Sequence, residues 1–233
     1  MQHIDPESLN DLPSRIDYLR KFIEFTSDDA AALHAAKPLV APLVPVVVDA
    51  VYTKLLSFDI TSKAFTPEQT GQEKAAAANV SDLSHSHPQV KFRKDFLTRY
   101  LVQLVTLDYE KPQSWEYLNK VGLMHTGAIG FAHRAKKPAL RVEYIHCAIL
   151  LGYVQDILIN AVTTHPDLDT TTKNTVLRAV NKVLWIQNDL FARHYMAAEE
   201  AQTEDKISVK KSTASLVAGG LLALGAGLFH FVL

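Results

Sequence analysis

One of the ten histidines in this 233-residue chain stands apart because of the helix face on which it lies. The apolar pattern predicts a helix from about Pro112 to about Gly130. Four of its residues form one otherwise apolar face: Leu118, Gly122, His125 and Ile129. A neutral imidazole on such a face can ligate the metal of a large flat group, and Gly122 leaves space beside it. The same spacing fits a core histidine bonded to a backbone carbonyl, so the pattern alone leaves both interpretations open.

Cysteine usage and net charge exclude several other kinds of site. Cys147 is the only cysteine, which excludes an intramolecular disulfide framework and a cysteine-cluster metal site. His146 lies beside it in an apolar segment, and we interpret it as a core histidine. The 24 Lys and Arg residues nearly balance 25 Asp and Glu residues, for a formal net charge of -1. This balance lacks the basic excess of a nucleic-acid binder, so we expect no nucleic-acid partner.

The elements that must position these residues are helices. The sustained apolar–polar alternation of strands is missing from the sequence, whereas helical periodicity recurs. The predicted helices cover residues 14–25, 26–33, 46–58, 88–108, 112–130, 139–163 and 171–198. The charged residues in the first part of the helix over 88–108 are expected to face water: Lys91, Arg93, Lys94, Asp95 and Arg99. Helices of such mixed length, interrupted by proline, predict an all-α, globin-like packing around a pocket.

The C-terminal residues 214–233 contain no Asp, Glu, Lys or Arg. At about 1.5 Å per residue, a helix of that length spans the ~30 Å hydrocarbon core of a bilayer. Three lysines precede it and stay cytosolic under the positive-inside tendency: Lys206, Lys210 and Lys211. The segment is therefore predicted to be a single-pass tail anchor, with a buried or amphipathic terminal helix as the alternative.

This organisation divides the chain into four predicted segments. They are an N-terminal extension (1–13), a helical domain (14–198), a linker (199–211) and a transmembrane tail-anchor helix (212–233). The helical domain is expected in the cytosol, held at a membrane whose organelle the sequence does not specify.

The segment that ends at His125 carries a motif of a hydrophobic residue, Gly122, two further residues and the histidine. Together with the residues from Trp115 onward, it resembles the proximal segment of protoglobins and of the globin domains of globin-coupled sensors. Further motifs follow the order of that family: Tyr52 in Asp49-Ala50-Val51-Tyr52, Phe65, Phe96 in the run from Phe92, and Val183-Leu184-Trp185. The resemblance covers residues 14–198 as a protoglobin-like haem domain, with the family's additional N-terminal helix at 14–25.

The resemblance implies haem b (iron protoporphyrin IX) as the cofactor and His125 as the proximal ligand of its iron. Tyr52 is then the distal residue that donates a hydrogen bond to a bound gas, with Tyr100 as the alternative donor. Phe65 and Phe96 are implied to be packing walls of the haem pocket. Covalent attachment of the c type is excluded because the sequence contains no C-x-x-C-H motif.

The sequence departs from the family pattern in two places. Ala148 stands where an aromatic residue is expected, which changes the expected ligand-access route. Residues 66–88 contain no evident partner for the haem propionates.

Three functions are compatible with these features. The first is reversible binding or sensing of O₂, NO or CO at a membrane surface. The second is a haem enzyme (an NO dioxygenase, peroxidase or nitrite reductase), for which this chain offers no reductase domain. The third is a tail-anchored adaptor that keeps the fold without haem. The resemblance also implies a homodimer through the last soluble helices.

Overall fold

The computed structural model describes three stretches of the chain, namely residues 1–67, 77–132 and 139–197. The described part is helical, as predicted, apart from turns and one antiparallel bridge between Thr126 and Arg141. The chain divides into two compact units, Met1–Ala192 and Arg193–Leu233. In the second unit residues 193–197 are described, and they are helical.

The longer helices of the first unit are numbered in chain order. They are α1 Leu12–Phe22, α2 Ser27–Ala35, α3 Lys37–Val40, α4 Val44–Leu56, α5 Asp59–Ser62, α6 Pro88–Leu104, α7 Pro112–Met124, α8 Tyr144–Thr164 and α9 over residues 170–192. Short 3-10 helices cover Pro6–Asn10, Lys63–Phe65 and Val80–Asp82. Each predicted helix has a counterpart in this series, and the differences lie at the helix ends.

Prolines mark the points where several helices begin. A proline occupies the first or second position of α1, α3, α4, α6 and α7. Its ring holds φ near about -65°, and its missing N–H costs little there, because the first N–H groups of a helix have no intrahelical acceptor. The prolines that interrupt the apolar pattern of the sequence therefore set where these helices start.

The capping residues explain how α1 and α2 begin. The Asp11 carboxylate is the N-cap of α1 and accepts a hydrogen bond from the Ser14 backbone N–H at 3.0 Å. Residue 14 therefore lies inside α1 rather than at its predicted start. In α2, Thr26 is the N-cap and its backbone N–H donates to the Asp29 carboxylate at 2.8 Å. The Thr26 side chain in turn accepts from the Asp29 backbone N–H. This capping box satisfies N–H groups that the helix leaves without partners.

One hydrophobic core joins the N-terminal and C-terminal helices of the first unit. Helix α4 packs against α6 and α8. The core includes side chains that are almost fully buried, among them Leu33, Val51, Leu118, Leu184 and Leu190. Burial of each aliphatic side chain of this size stabilises the fold by about 1.5–3 kcal/mol. Because these residues come from α2, α4, α7 and α9, loss of any one of these helices would open the core.

Two ion pairs hold α9 to the N-terminal helices. The Lys182 ammonium lies 2.9 Å from the Asp29 carboxylate and also donates to the Glu24 carbonyl at 2.7 Å. The Arg15 guanidinium binds Asp189 through two hydrogen bonds, of 2.6 and 2.7 Å. Charge-assisted bonds of this kind are stronger and more directional than neutral ones. They fix the position of α9 relative to α1 and α2.

Among the described residues, α8 is the one helix that is long and apolar enough to cross a membrane by length and composition alone. A core helix of a soluble protein meets the same test, and α8 contributes Val154 and Leu158 to the core. The predicted linker 199–211 and tail-anchor helix 212–233 lie outside the described residues.

Candidate functional site

A cavity of about 660 Å³ lies between α4, α6, α7, α8 and α9. This volume is within the range of small-molecule and cofactor pockets, about 300–1,000 Å³. The four residues predicted for the site all line the cavity: Tyr52, Phe65, Phe96 and His125. Residues from four separate parts of the chain therefore meet at one mainly apolar space.

His125 is the C-cap residue of α7, and its ring is held from two sides. Its Nδ1 lies 2.7 Å from the Val121 carbonyl oxygen. Because a carbonyl can only accept, Nδ1 carries the proton, and Nε2 is the nitrogen with the lone pair. The Phe191 ring stands edge-on to the imidazole, with 5.1 Å between the ring centroids. A histidine whose Nδ1–H donates to a carbonyl has the tautomer and fixed orientation that suit metal ligation through Nε2.

Helix α7 ends at Met124, before the predicted end near Gly130. Gly127 has φ of 97°, a left-handed conformation that glycine adopts readily and that does not continue a helix. Ile129 lies beyond this turn and is 60% exposed, so the prediction that it shares an apolar helix face with His125 is wrong. The Gly127 position was the available signal for the end of the helix.

Helix α8 begins at Tyr144, later than predicted, because the chain before it is bonded to the end of α7. The Val142 N–H donates to the His125 carbonyl at 2.9 Å, and Arg141 forms the antiparallel bridge with Thr126. These contacts require extended backbone, which excludes the first turn of the predicted helix. They also tie the backbone of His125 and Thr126 to the chain that precedes α8.

Gly122 serves the packing of α7 on α9, which corrects its predicted role of leaving space for a flat group. A Cβ added at Gly122 would lie 2.2 Å from the Leu190 carbonyl oxygen and 2.9 Å from the carbonyl carbon. A backbone carbonyl cannot rotate away as a side chain can. A residue without a side chain is therefore needed where the two helix backbones meet.

We expect the Gly122→Ala variant to lower the free energy of unfolding by about 1–3 kcal/mol, because the added methyl forces α7 and α9 apart. Chemical denaturation monitored by circular dichroism measures this change. The matched control is Gly152→Ala in α8, where nothing lies within 4 Å of an added Cβ. There the better helix propensity of alanine is expected to stabilise by about 0.5–1 kcal/mol. Equal effects of the two substitutions would contradict the close contact.

Tyr52 projects from α4 into the cavity and is 5% exposed. Burial raises the pKa of its hydroxyl above the usual value of 10, so the group stays protonated and can donate a hydrogen bond. Among the described residues, none forms a hydrogen bond with this hydroxyl. Its ring packs against Phe65, with 5.6 Å between the centroids. Tyr52 therefore presents a positioned donor to the cavity.

Tyr100, the alternative donor, also lines the cavity but is already engaged. Its hydroxyl donates to the Gln187 side-chain oxygen at 3.3 Å, and burial raises its pKa as well. The Gln187 amide in turn donates to the Leu118 carbonyl at 3.2 Å. The Tyr100 hydroxyl is thus part of a buried chain between α6, α9 and α7, which favours Tyr52 as the donor to a ligand.

Phe65 and Phe96 contribute aromatic walls to the cavity. Phe65 is 5% exposed and lies in the 3-10 helix that follows α5. Phe96 lies in α6 and packs edge-on against Phe92, with 5.0 Å between the centroids. Both rings therefore place apolar surface on the side of the cavity near Tyr52 and α6.

Two basic residues of α6 that were predicted to face water are partly buried. The Arg93 guanidinium lies 4.7 Å above the Phe65 ring centroid, donates to the Ala64 carbonyl at 2.7 Å, and lines the cavity. The Lys94 side chain is 16% exposed, and its ammonium lies 2.6 Å from the Asp49 carboxylate, whose pKa it lowers. A signal was present in the sequence, because residue 93 lies one turn from Phe96 and shares its side of the helix.

His146 and Cys147 also line the cavity. Both lie in the first turn of α8, where His146 is half-buried and Cys147 is buried. His146 was interpreted as a core histidine, and the structure places it half-buried at the cavity wall. The sequence offered no sign of this, because the start of α8 was placed too early to show which face points inward.

The described helices enclose a cavity that is lined by both the His125 imidazole at the end of α7 and Tyr52 of α4. A family model for Protoglobin matches residues 12–201, and the chain therefore belongs to the protoglobin family. A solved structure described as the globin domain of the Geobacter sulfurreducens globin-coupled sensor has the same fold. The match has a TM-score of 0.57 at 18% identity and covers 77% of this chain and 96% of that one. A search of curated proteins found no match.

Membership of this family confirms the predicted globin fold and implies that the chain binds haem. The cavity suits that group in three respects. Its size and apolar lining fit a buried macrocycle, the oriented His125 supplies a nitrogen ligand, and Arg93 supplies a fixed cation for an acidic substituent.

Proposed function

We propose that this protein is a haem b globin that reversibly binds a diatomic gas (O₂, NO or CO) and serves as a membrane-tethered gas or redox sensor. The observation that carries this proposal is the shared cavity of His125 and Tyr52. The first has an imidazole oriented by the Val121 carbonyl, and the second has a protonated hydroxyl that no described residue engages.

Each residue of the site has a separate task in this mechanism. Haem supplies an iron atom that binds diatomic gases reversibly. His125 would hold the iron through Nε2, and the hydrogen bond from Nδ1 to the Val121 carbonyl would keep the ring oriented. Tyr52 would donate a hydrogen bond to a polar gas bound in the cavity. In a site of low dielectric constant this bond would slow the release of the gas. Phe65 and Phe96 keep water out.

Two arginines of α6 that line the cavity are proposed to hold the haem propionates. Arg93 is fixed by Phe65 and the Ala64 carbonyl, and Arg99 lies 5.7 Å from the Phe96 ring centroid. Both line the cavity and lie in α6. A guanidinium pairs with a carboxylate through two parallel hydrogen bonds, so either arginine is suited to a propionate.

The membrane tether rests on the sequence of residues 212–233 and on the lysines that precede them. It would place the globin domain in the cytosol at a membrane surface. Deletion of residues 212–233 should release the protein from the membrane fraction of cells. Retention of the shortened chain in that fraction would contradict the tether.

A homodimer through α8 and α9 is proposed from the exposed apolar side chains of these helices. Ile145 and Ile149 lie one turn apart on α8 and are 68% and 69% exposed, and Trp185 on α9 is 56% exposed. Large apolar side chains at this exposure favour an interface. Sedimentation of a Trp185→Glu variant as a monomer, beside a dimeric parent, would support this assignment.

The test of the proposed function is an absorption spectrum of the full chain in detergent, supplied with haemin. After reduction with dithionite, addition of CO should sharpen and shift the Soret band, as for a globin with a reachable iron. The behaviour of free haemin beside a folded helical protein would overturn the proposal. It would leave the haem-free adaptor as the better account.

A further inference from the structure

One turn of α9 contacts four other helices through four consecutive residues. Gln187 bonds to Tyr100 of α6 and to the Leu118 carbonyl of α7, and Asn188 accepts from the Tyr144 hydroxyl of α8 at 3.2 Å. The other two contacts are the ion pair of Asp189 with Arg15 of α1 and the contact of the Leu190 carbonyl with Gly122 of α7. Successive side chains of a helix point about 100° apart, which allows one turn to reach all of these neighbours.

The next residue along α9 touches the imidazole of the site. Phe191 stands edge-on to His125 at 5.1 Å, and Leu190 is in tight contact with α7 one turn before that histidine. A rotation or shift of this turn would therefore change the position of Phe191 against the imidazole. It would also move α7 itself. The Leu190 carbonyl packs on Gly122, and the neighbouring positions of α7 carry side chains that leave it no room to slide.

Asp189 of this turn is bonded to α1 through Arg15. The Arg15 guanidinium binds both oxygens of Asp189, at 2.6 and 2.7 Å, and donates a third bond to the Leu9 carbonyl at 3.2 Å. The two side chains are 20% and 25% exposed, so water screens them less than an open surface pair. A planar, bidentate pair fixes the direction of approach as well as the distance.

We propose that Arg15 and Asp189 are positioning residues for the proximal histidine. Their ion pair fixes the turn over residues 187–190 and, through Phe191, the orientation of the His125 ring. Helix α1 thereby sets the strength of the bond from His125 to iron, and a change in α1 alters gas affinity at the haem. This inference rests on the proposed function.

The chain provides a matched control on the same helix. Arg20 of α1 pairs with Glu110 at 2.8 Å, and the Glu110 side chain is 59% exposed. Glu110 lies in the segment between α6 and α7, and among the described residues its hydrogen bonds and ion pair join Arg20 and Asp108 rather than the turn over 187–190. Asp189→Asn and Glu110→Gln each convert a carboxylate paired with an α1 arginine into an amide. A difference between the two variants therefore reports the 187–190 turn rather than the general loss of an ion pair.

The experiment is resonance Raman spectroscopy of the iron–histidine stretch in the reduced, gas-free, haem-loaded full chain. We expect Asp189→Asn to move this band to lower frequency and to raise the gas dissociation rate about two- to thirty-fold, the range of couplings of 0.5–2 kcal/mol between linked sites. Glu110→Gln should leave the band in place. The charge reversal that combines Arg15→Asp with Asp189→Arg should bring the band back toward the parent position. An unmoved band in Asp189→Asn, or an equal shift in Glu110→Gln, overturns the proposal.

Two further measurements keep the proposal separate from folding and from haem binding. If Asp189→Asn does not fold, Asp189→Glu is measured instead, and its longer side chain should shift the band in the same direction. In the haem-free protein, the NMR resonances of the His125 ring should move in Asp189→Asn and not in Glu110→Gln. Failure of the parent to bind haemin would overturn the proposed function, whereas unmoved ring resonances would overturn the positioning role alone.

Discussion

We expect replacement of His125 by alanine to abolish stable haem binding by this protein. The substitution removes the nitrogen ligand that the Val121 carbonyl orients, and burial of the macrocycle alone leaves the iron without a protein bond. Gel filtration of the haemin-loaded variant, followed by the spectrum of the reduced CO form, measures the loss. Imidazole added to the solution should restore part of the parent spectrum, because it can occupy the space that the side chain vacates.

His146→Ala is the control for this experiment because His146 also lines the cavity. We expect it to retain haem and the spectrum of a histidine-ligated reduced iron. The opposite pattern, with haem kept by His125→Ala and lost by His146→Ala, would transfer the iron ligand to α8. Retention of the parent spectrum by both variants would contradict a proximal histidine at either position.

The second large effect is expected for O₂ in the Tyr52→Phe variant. A hydrogen bond to a partly charged acceptor in a dry site contributes about 1.5–3 kcal/mol, so the dissociation rate of O₂ should rise roughly 10- to 150-fold. Dissociation of CO, which carries less negative charge on its outer atom, should change much less. Stopped-flow displacement of each gas from the reduced protein measures both rates.

Tyr100→Phe separates the two phenols of the cavity. The Tyr100 hydroxyl already donates to Gln187, so its removal should affect stability more than O₂ release. The lost bond leaves a buried amide oxygen with one partner fewer, at a cost of about 1 kcal/mol in the free energy of unfolding. Faster O₂ release in Tyr100→Phe together with an unchanged rate in Tyr52→Phe would reverse the assignment of the donor.

The starts of the helices were more predictable from the sequence than their ends. The prolines and the Thr26–Asp29 pair are local signals, because each acts through bonds within one turn of the chain. The end of α7 depends instead on a tertiary contact, the bond from Val142 to the His125 carbonyl, together with Gly127. A pattern of apolar residues contains no information about such a bond, so the predicted helix continued too far.

The sequence likewise predicted some of the residues that line the cavity and missed others whose position depends on tertiary contacts. Apolar periodicity singled out His125, and the resemblance to protoglobins pointed to Tyr52, Phe65 and Phe96. All four residues line the cavity. Arg93 was assigned to the solvent because charged residues on a helix usually face water. Its stacking on Phe65 depends on where the 3-10 helix after α5 lies, which periodicity within α6 does not determine.

The role of Gly122 shows how a correct choice of residue can have a different physical reason. The sequence predicted Gly122 to be the small neighbour of a buried histidine. In the structure it is needed because the backbone of Leu190 in α9 packs directly against it. Sequence spacing identifies which residues share a helix face. It does not identify the partner that packs against that face.

The antiparallel bridge between Thr126 and Arg141 has a consequence for how this chain can change in length. The bridge and the bond from Val142 to His125 join residues 125–126 directly to residues 141–142. Residues added to the chain between these two pairs need not displace the histidine. The bridge therefore acts as a cross-link would, since it sets the position of the end of α7 against the chain before α8 whatever the length of the connection.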